Sequence, residues 1–260
     1  MSKGKLRIER DGPVGRLVLD NPERRNAISA DMWRAIAPAM GAFSADAATR
    51  CIVIRGEGTQ AFAAGADISE FEKNRSSEIE VKDYEAATAA AHHAIESSPK
   101  PVIALIHGFC VGGGLAVALS CDLRYADASS RFAIPAARLG LGYGVHGTGR
   151  LVATVGHANA REIMFSACRY NADEALAMGL VHRVLPDAEL DAYVQTMAQE
   201  LAANAPLTIA ASKAVINALA EPKGEFSDAE AAVARCMKSE DYVEGRRAFM
   251  EKRTPAFKGK

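Results

Sequence analysis

The chain has 260 residues, a formal net charge of −1 and five cysteines, and 49% of its residues are hydrophobic. This composition is typical of a globular protein with one large core or a main domain and a small one. The balanced charge excludes a global field that would recruit nucleic acid or an anionic membrane. The scattered cysteines exclude a disulfide framework, and no apolar run predicts a secretion signal or a membrane span, so we expect a soluble cytoplasmic protein.

The first half of the chain alternates short apolar strands with helical segments. Residues 6–9 and 15–20 predict an N-terminal hairpin. Apolar residues at helical spacing from position 32 to position 43 predict a helix capped by Ser29 or Asp31. Buried strands are predicted at 51–55 and 102–106, and a helix is predicted between them at 77–97.

Beyond residue 185 the predicted elements are all helical. Four helices are expected, near residues 190–201, 206–219, 226–237 and 242–251. Strands followed by helices are typical of an α/β body with a helical C-terminal region. We therefore divide the chain into an α/β body at residues 1–190 and a helical region at residues 191–260. An apolar helical tail often packs against a neighbouring subunit, so the pattern predicts an oligomer.

A glycine-rich loop at residues 108–114 joins the strand at 102–106 to an apolar helix at 115–120. Three consecutive glycines allow close approach of the backbone to a ligand, and the first amides of the following helix have no partner within it. Such amides bind an oxyanion well. By itself, the triple glycine is weak evidence for a site and favours a tight strand-to-helix turn without a ligand.

A second loop of small residues, 61–68, follows the strand at 51–55. Its glycine and alanines also allow an exposed amide beside a ligand. Two such loops, each at the end of an apolar strand, can direct two N–H groups at one carbonyl oxygen. This is the minimum equipment for stabilising an enolate or a tetrahedral oxyanion.

Five segments, in their order and spacing, resemble the crotonase (enoyl-CoA hydratase/isomerase) superfamily over nearly the whole chain: 21–27, 61–68, 107–114 with Cys121-Asp122, 140–151 and 249–253. The resemblance implies an α/β spiral of ββα turns with a C-terminal helical trimerisation region, in a homotrimer or a dimer of trimers. It implies an acyl-CoA substrate, in which coenzyme A is part of the substrate and not a separate cofactor. Carboxylates and histidines are too dispersed to predict a metal site.

The resemblance also implies which residues form the site. The backbone amides of Ala66 and Gly113 would form the oxyanion hole. Coenzyme A contacts are implied for Arg24, Ala64, Asp67, Ile68, Phe249 and Lys252. A guanidinium suits phosphate oxygens, although Arg24 fits a solvated turn charge equally well. Helix packing and a surface charge are the alternatives for Phe249 and Lys252.

Two departures from the superfamily pattern concern the reaction. Hydratases of the superfamily use two glutamates, and the matching positions here hold Ala116 and Ala136. Adding water to a conjugated double bond needs one group to activate water and another to protonate the α carbon. We therefore expect little or no hydratase activity and favour decarboxylase- or isomerase-type chemistry, with thioester hydrolysis open. A non-catalytic acyl-CoA-binding subunit is the alternative.

Tyr143 and His146 are the candidates for proton handling near the thioester. Tyr143 matches a tyrosine of decarboxylases in the superfamily, although Ala66 replaces the histidine of their site. A phenol can orient a carboxylate or donate a proton, and an imidazole exchanges protons near neutral pH. The alternatives are a packed aromatic ring for Tyr143 and a solvent-facing or subunit-contact residue for His146.

Other polar residues near these motifs are expected to be structural or on the surface. His107 and Asp122 are predicted to make structural hydrogen bonds, and Cys110 is predicted to be an inert buried thiol. His92 and His93, in the helix before the strand at 102–106, are predicted to lie at the surface or in a subunit contact.

Overall fold

The computed structural model describes residues 4–67, 78–220 and 226–260. The strands in these ranges are β1 (Lys5–Asp11), β2 (Val14–Asp20), β3 (Cys51–Gly56), β4 (Ala61–Ala63), β5 (Val102–Ile106), β6 (Phe109–Val111), β7 (Leu123–Asp127), β8 (Arg131–Ala133), β9 (Tyr170–Asn171) and β10 (Arg183–Leu185). The α-helices are α1 (Ala30–Ala45), α2 (Glu78–Glu96), α3 (Gly113–Ser120), α4 (Val145–Ser166), α5 (Ala172–Ala177), α6 (Leu190–Ala203), α7 (Pro206–Ala220), α8 (Ser227–Met237) and α9 (Glu240–Glu251).

Six strands form the larger sheet, in the order β1-β2-β3-β5-β7-β10. β1 and β2 pair antiparallel, which confirms the predicted hairpin, and the remaining neighbours are parallel. β3 and β5 are buried on both faces, which explains their continuous apolar sequences.

Helices cover both faces of the larger sheet. Ile36 of α1 belongs to the same buried core as Ile54 of β3 on one face. On the other face, Val194 and Ala198 of α6 pack with Val53. α6 therefore packs on the sheet, although it lies beyond the domain boundary that we placed at residue 190.

Four short strands form a second sheet, in the order β4-β6-β8-β9. β4 and β6 are parallel neighbours. The carboxyl ends of parallel strands meet at the same edge of a sheet, so the loops after β4 and β6 begin side by side. These are the two loops that the sequence singles out.

The helix boundaries agree closely with the predicted ones. The side chain of Ser29 caps α1 by accepting a hydrogen bond from Met32 N over 3.2 Å, which decides between the two candidate caps. α2 lies within the predicted range 77–97, and α6 to α9 match the four predicted C-terminal helices. In the described ranges no helix is both long and apolar enough to cross a membrane.

Candidate active site

The amide of Ala66 is directed by a parallel β-bridge between Ile28 and Ala66. Ile28 N donates to Gly65 O over 2.8 Å, and Asp67 N donates to Ile28 O over 3.0 Å. In a parallel bridge, the residue between two such bonds directs its own N–H to the opposite side. The Ala66 N–H therefore points away from Ile28 and can meet a ligand.

The loop that carries Ala66 is fastened at its start by the segment around Asn26. Asn26 Nδ2 donates to Ala61 O over 2.7 Å. Three residues further on, Ala64 N donates to Arg25 O over 2.9 Å. These bonds to the segment before α1 fix the path of the loop, and hence the direction of the Ala66 amide.

The three consecutive glycines meet different requirements. Gly112 has a φ of 52°, in the left-handed region that favours glycine. A Cβ at Gly114 would lie 2.3 Å from Ala63 O, so only glycine allows α3 to pack this closely on β4. Gly113 begins α3, and its amide has no acceptor within the helix.

The two loops bring their free amides together. A Cβ at Gly113 would lie 3.4 Å from Ala66 N, and a Cβ at Gly65 would lie 3.9 Å from Gly113 N. The Gly113 amide also lies at the positive end of α3. This arrangement is suited to an oxyanion that accepts hydrogen bonds from Ala66 and Gly113.

Ala116 and Ala136 are buried residues close to the glycine loop. Ala116 is on the first turn of α3, and its exposed fraction is 7%. Ala136 follows Pro135, whose Cδ would lie 3.9 Å from a Cβ at Gly112. The exposed fraction of Ala136 is 4%. Neither methyl side chain can exchange a proton.

Tyr143 packs against the core that contains the glycine loop. Its ring lies against Gly147 in the first turn of α4 and packs on the same buried cluster that contains Cys110 and Ala136. Burial, with a smaller contribution from the Cys110 thiol, raises the pKa of the Tyr143 phenol to about 12. The phenol therefore stays protonated at neutral pH and acts as a hydrogen-bond donor.

His146 lies apart from this core. It is exposed on the first turn of α4, and its neighbour Val145 is 86% exposed. The structure thus brings Tyr143 to the core beside the glycine loop and leaves His146 at the surface.

Among the positions implied for coenzyme A, Arg24 and Asp67 contact each other. Arg24 Nη1 lies 2.7 Å from both carboxylate oxygens of Asp67. Asp67 is 9% exposed, whereas the Arg24 side chain is 43% exposed. Ala64 is half-buried in the same loop. Ile68 lies outside the described residues.

Phe249 and Lys252 lie at the far end of the chain. Phe249 is 84% exposed on α9. Lys252 is exposed at the C-terminal end of the same helix, with a φ of 54°. Both side chains are therefore accessible in the single chain.

The sequence reasoning missed two residues at the site, Trp33 and His92. Trp33 is predicted only as an apolar position of α1, yet its Cζ2 would lie 3.2 Å from a Cβ at Gly113. His92, predicted at the surface or in a subunit contact, is half-buried, and its ring centroid lies 5.3 Å from that of Trp33. The signal available was chemical, since a tryptophan at a core position has an N–H that needs a partner.

The residues predicted to be structural have that role. His107 Nδ1 lies 2.6 Å from Asp127 Oδ2 and its Nε2 lies 2.7 Å from Asp191 Oδ2. Burial opposes the charge of His107, but the two carboxylates outweigh it and raise the pKa of the imidazole. Burial raises the pKa of the Cys110 thiol far above its usual value, so it is a poor nucleophile.

Asp122 is also structural, because its carboxylate accepts from Val102 N over 2.7 Å and pairs with Lys213 over 2.8 Å. Within the described ranges, no group of three or more His, Cys, Asp or Glu side chains is placed to hold a metal ion.

A family model described as enoyl-CoA hydratase/isomerase matches residues 9–260. The chain belongs to this family. It is therefore an acyl-CoA enzyme of the enoyl-CoA hydratase/isomerase type, and the predicted superfamily is confirmed.

Relatives in the family match the chain over almost its full length. The short-chain-enoyl-CoA hydratase of Clostridium acetobutylicum is 33% identical over 253 residues, which cover 95% of this chain and 94% of the relative. The crotonyl-CoA hydratase of Syntrophomonas wolfei is 34% identical and covers 96% of each chain.

Among solved structures, the crystal structure of an enoyl-CoA hydratase/carnithine racemase from Magnetospirillum magneticum is similar to this family member, with 36% sequence identity. It has a TM-score of 0.94 and covers 100% of this chain and 97% of that one. The crotonase-like α/β fold is therefore confirmed as well.

Proposed function

We propose that this family member binds an acyl-CoA thioester with its carbonyl oxygen between the amides of Ala66 and Gly113, and stabilises the enolate that forms there. The observation behind this proposal is the convergence of the two loops, with the Cβ position of Gly113 3.4 Å from Ala66 N. Two donors held by rigid backbone need no reorganisation as negative charge develops on the oxygen.

The side chains around this hole favour a reaction other than hydration. Ala116 and Ala136 occupy the positions of the two hydratase glutamates and are buried. Without carboxylates at these positions, there is no group there to activate water. The relatives named as hydratases support the acyl-CoA substrate, and the two alanines argue against the same reaction here.

Tyr143 is our candidate for the proton donor. In a decarboxylation, the bond to the carboxylate breaks, carbon dioxide leaves, and the electron pair passes into the thioester enolate. The α carbon then takes a proton, which a phenol that stays neutral can supply. Isomerisation of a double bond also places negative charge on the thioester oxygen, but it first requires a base to remove a proton, which the neutral Tyr143 phenol does not supply. His146 is the weaker candidate because it is exposed.

The coenzyme A portion is proposed to contact Arg24, Ala64, Asp67, Ile68, Phe249 and Lys252. Arg24 keeps 43% of its side chain exposed while it contacts Asp67, and a guanidinium is well suited to phosphate oxygens. Coenzyme A enters as part of the substrate, and the proposed chemistry needs no separate cofactor.

The second candidate is a subunit that binds acyl-CoA without turnover. The specific observation in its favour is the replacement of both catalytic carboxylates by alanine. Such a subunit would keep the proposed oxyanion hole and coenzyme A contacts and would bind the thioester without converting it.

Mass spectrometry of a panel of acyl-CoA esters, including malonyl-type esters and crotonyl-CoA, tests these proposals. We expect loss of carbon dioxide or a double-bond shift from at least one ester. Hydration of crotonyl-CoA at about 1 s⁻¹ or faster, an ordinary enzymatic rate, would contradict our assignment. Binding of the panel without turnover of any ester would support the binding subunit.

A further inference from the structure

The first strand, β1, forms one edge of the larger sheet, and in the described ranges β2 is the one strand that pairs with it. Glu57, directly after β3, donates its N–H to Leu19 O over 3.0 Å. Leu19 and the other odd-numbered residues of β2 therefore direct their main-chain groups at β3. The even-numbered residues of β2 bond to β1, where their register partners are positions 5, 7, 9 and 11.

The outer edge of β1 consists of the main-chain groups of Leu6, Ile8 and Arg10. Because the residues between and beside them bond to β2, the N–H and C=O groups of these three residues point away from the sheet. The side chain of Ile8, at the centre of this row, is 59% exposed. A row of such groups is a template on which a further strand can pair.

The charges of β1 are complementary to those of a second, antiparallel copy of the same strand. When Ile8 lies opposite Ile8 of the second copy, Lys5 faces Asp11. In the same register Arg7 faces Glu9, the residue to which it also bonds within one chain over 2.7 Å. Opposite charges directly across an antiparallel pair are stabilising, whereas a parallel pair in register would oppose like charges.

The register that pairs the charges also pairs the main chain. Opposite residues of an antiparallel pair exchange either both hydrogen bonds or none, in alternation. In this register the two Ile8 residues exchange both, and Leu6 of each copy exchanges both with Arg10 of the other. A slip by one residue would lose these bonds and place Arg7 opposite Arg10, so charge and main chain select the same register.

We propose that the β1 edge is an interaction surface for a second copy of this chain, and that the two larger sheets become continuous across a two-fold axis at Ile8. Such a contact closes after two copies, because the same strand serves on both sides. It uses no residue of the C-terminal helices, so it can join units that those helices assemble. It does not depend on the proposed function.

A cysteine at position 8 tests the register. Opposite residues that exchange both hydrogen bonds have Cα atoms about 5.5 Å apart, a distance that a disulfide spans. We therefore expect oxidised Ile8→Cys to migrate as a covalent dimer on non-reducing electrophoresis. Arg10→Cys is the matched control on the same strand face, because its two copies would lie about 14 Å apart along the strands and stay unlinked. Absence of the dimer in Ile8→Cys, or an equal amount in Arg10→Cys, overturns the proposal.

Charge reversal tests the self-complementarity of the strand. Lys5→Glu with Arg7→Glu makes the four charges of positions 5, 7, 9 and 11 all acidic, and Glu9→Lys with Asp11→Lys makes them all basic. Each double variant should repel its own copy and show half the mass of the unchanged protein in light scattering. An equimolar mixture should regain the full mass, because each acidic strand then faces a basic one.

The mixture is also the control for folding, together with circular dichroism of each double variant. An undiminished mass of either double variant alone shows that β1 does not join the copies, and overturns the proposal. A mixture of folded variants that stays at half the mass overturns it as well.

Discussion

Gly113 shows what a single missing Cβ contributes to the site. In Gly113→Ala, the methyl group would lie 3.2 Å from Trp33 Cζ2 and 3.4 Å from Ala66 N. It would lie in the space that we propose for the thioester oxygen, so we expect kcat/KM for the best ester of the panel to fall by about 10²–10³-fold, as when one oxyanion donor is lost. Steady-state kinetics measures the effect.

The control for this substitution is Gly149→Ala on α4, where a Cβ would meet no atom within 4 Å. Its kinetics should match those of the unchanged protein. If Gly113→Ala kept full activity in a folded protein, the carbonyl oxygen would not lie between these amides.

Tyr143 can be tested by removing one oxygen atom. Tyr143→Phe keeps the packed ring and should lower kcat by about 10²–10⁴-fold if the phenol donates the proton. Because the active form is the neutral phenol, whose pKa is raised to about 12, its ionisation should not reduce the rate between pH 7 and pH 10. Rate profiles of the protein and of His146→Ala provide the comparison, and an unchanged kcat in Tyr143→Phe would exclude this role.

At the scale of elements, the approach of α3 to β4 depends on Gly114. A Cβ in Gly114→Ala would lie 2.3 Å from Ala63 O, a backbone atom that cannot move without shifting the strand. We expect the free energy of unfolding to fall by about 1–3 kcal/mol. Urea denaturation measures it.

Gly41→Ala in α1 is the opposite case, because a Cβ there would meet nothing within 4 Å. It should stabilise the protein by about 0.5–1 kcal/mol through the higher helix propensity of alanine. Equal stability of the Gly114→Ala variant and the unchanged protein would show that α3 can move away from β4 without cost.

The link between α6 and the sheet should weaken as the pH rises, because it includes the imidazole of His107. His107 bonds to Asp127 of β7 and to Asp191 of α6. Its pKa is raised, so its contribution to stability is fully present below about pH 6.5, the unfolded value, and is lost as the pH rises through the folded value. Urea denaturation from pH 6 to pH 9 should show declining stability, and His107→Gln should flatten this decline. A decline of equal size in the variant would assign it to other groups.

How far the sequence predicts an element depends on its length. β5 is predicted to the residue because five buried apolar residues lie between Pro101 and His107. The short strands of the second sheet, such as β6 and β8, are not predicted, since three residues carry no periodicity. The glycine loop is recognisable from its sequence pattern, whereas the Trp33–His92 pair is not, because the two residues meet only through the packing of α1 on α2.

At the scale of the whole molecule, the C-terminal helices expose a large apolar surface. Phe249 and Met250 are 84% and 80% exposed. Other exposed apolar side chains of this region are Ile216, Leu219, Phe226, Val233, Met237, Tyr242 and Val243. Exposed apolar patches of this kind mark interaction sites, which supports our proposal of a homotrimer or a dimer of trimers.

Light scattering coupled to size-exclusion chromatography tests the assembly. We expect a mass of three or six chains, and Phe249→Glu with Met250→Glu should shift it towards a single chain, because each buried side chain contributes about 1.5–3 kcal/mol. Ile8→Glu, at an exposed position of the edge strand β1, is the control and should leave the three-chain unit intact. A single-chain mass for the unchanged protein would contradict the proposed oligomer.

The bridge between Ile28 and Ala66 bears on how the active sites of this fold evolve. The direction of the Ala66 amide is set by hydrogen bonds of Gly65 and Asp67 main-chain atoms, with the Asn26 side chain holding the start of the loop. Exchange of side chains around the proposed thioester site therefore leaves the proposed oxyanion donor, the Ala66 amide, in place. A chain of this fold can lose one reaction and acquire another without rebuilding its means of holding negative charge, and the alanines at positions 116 and 136 are compatible with such a history.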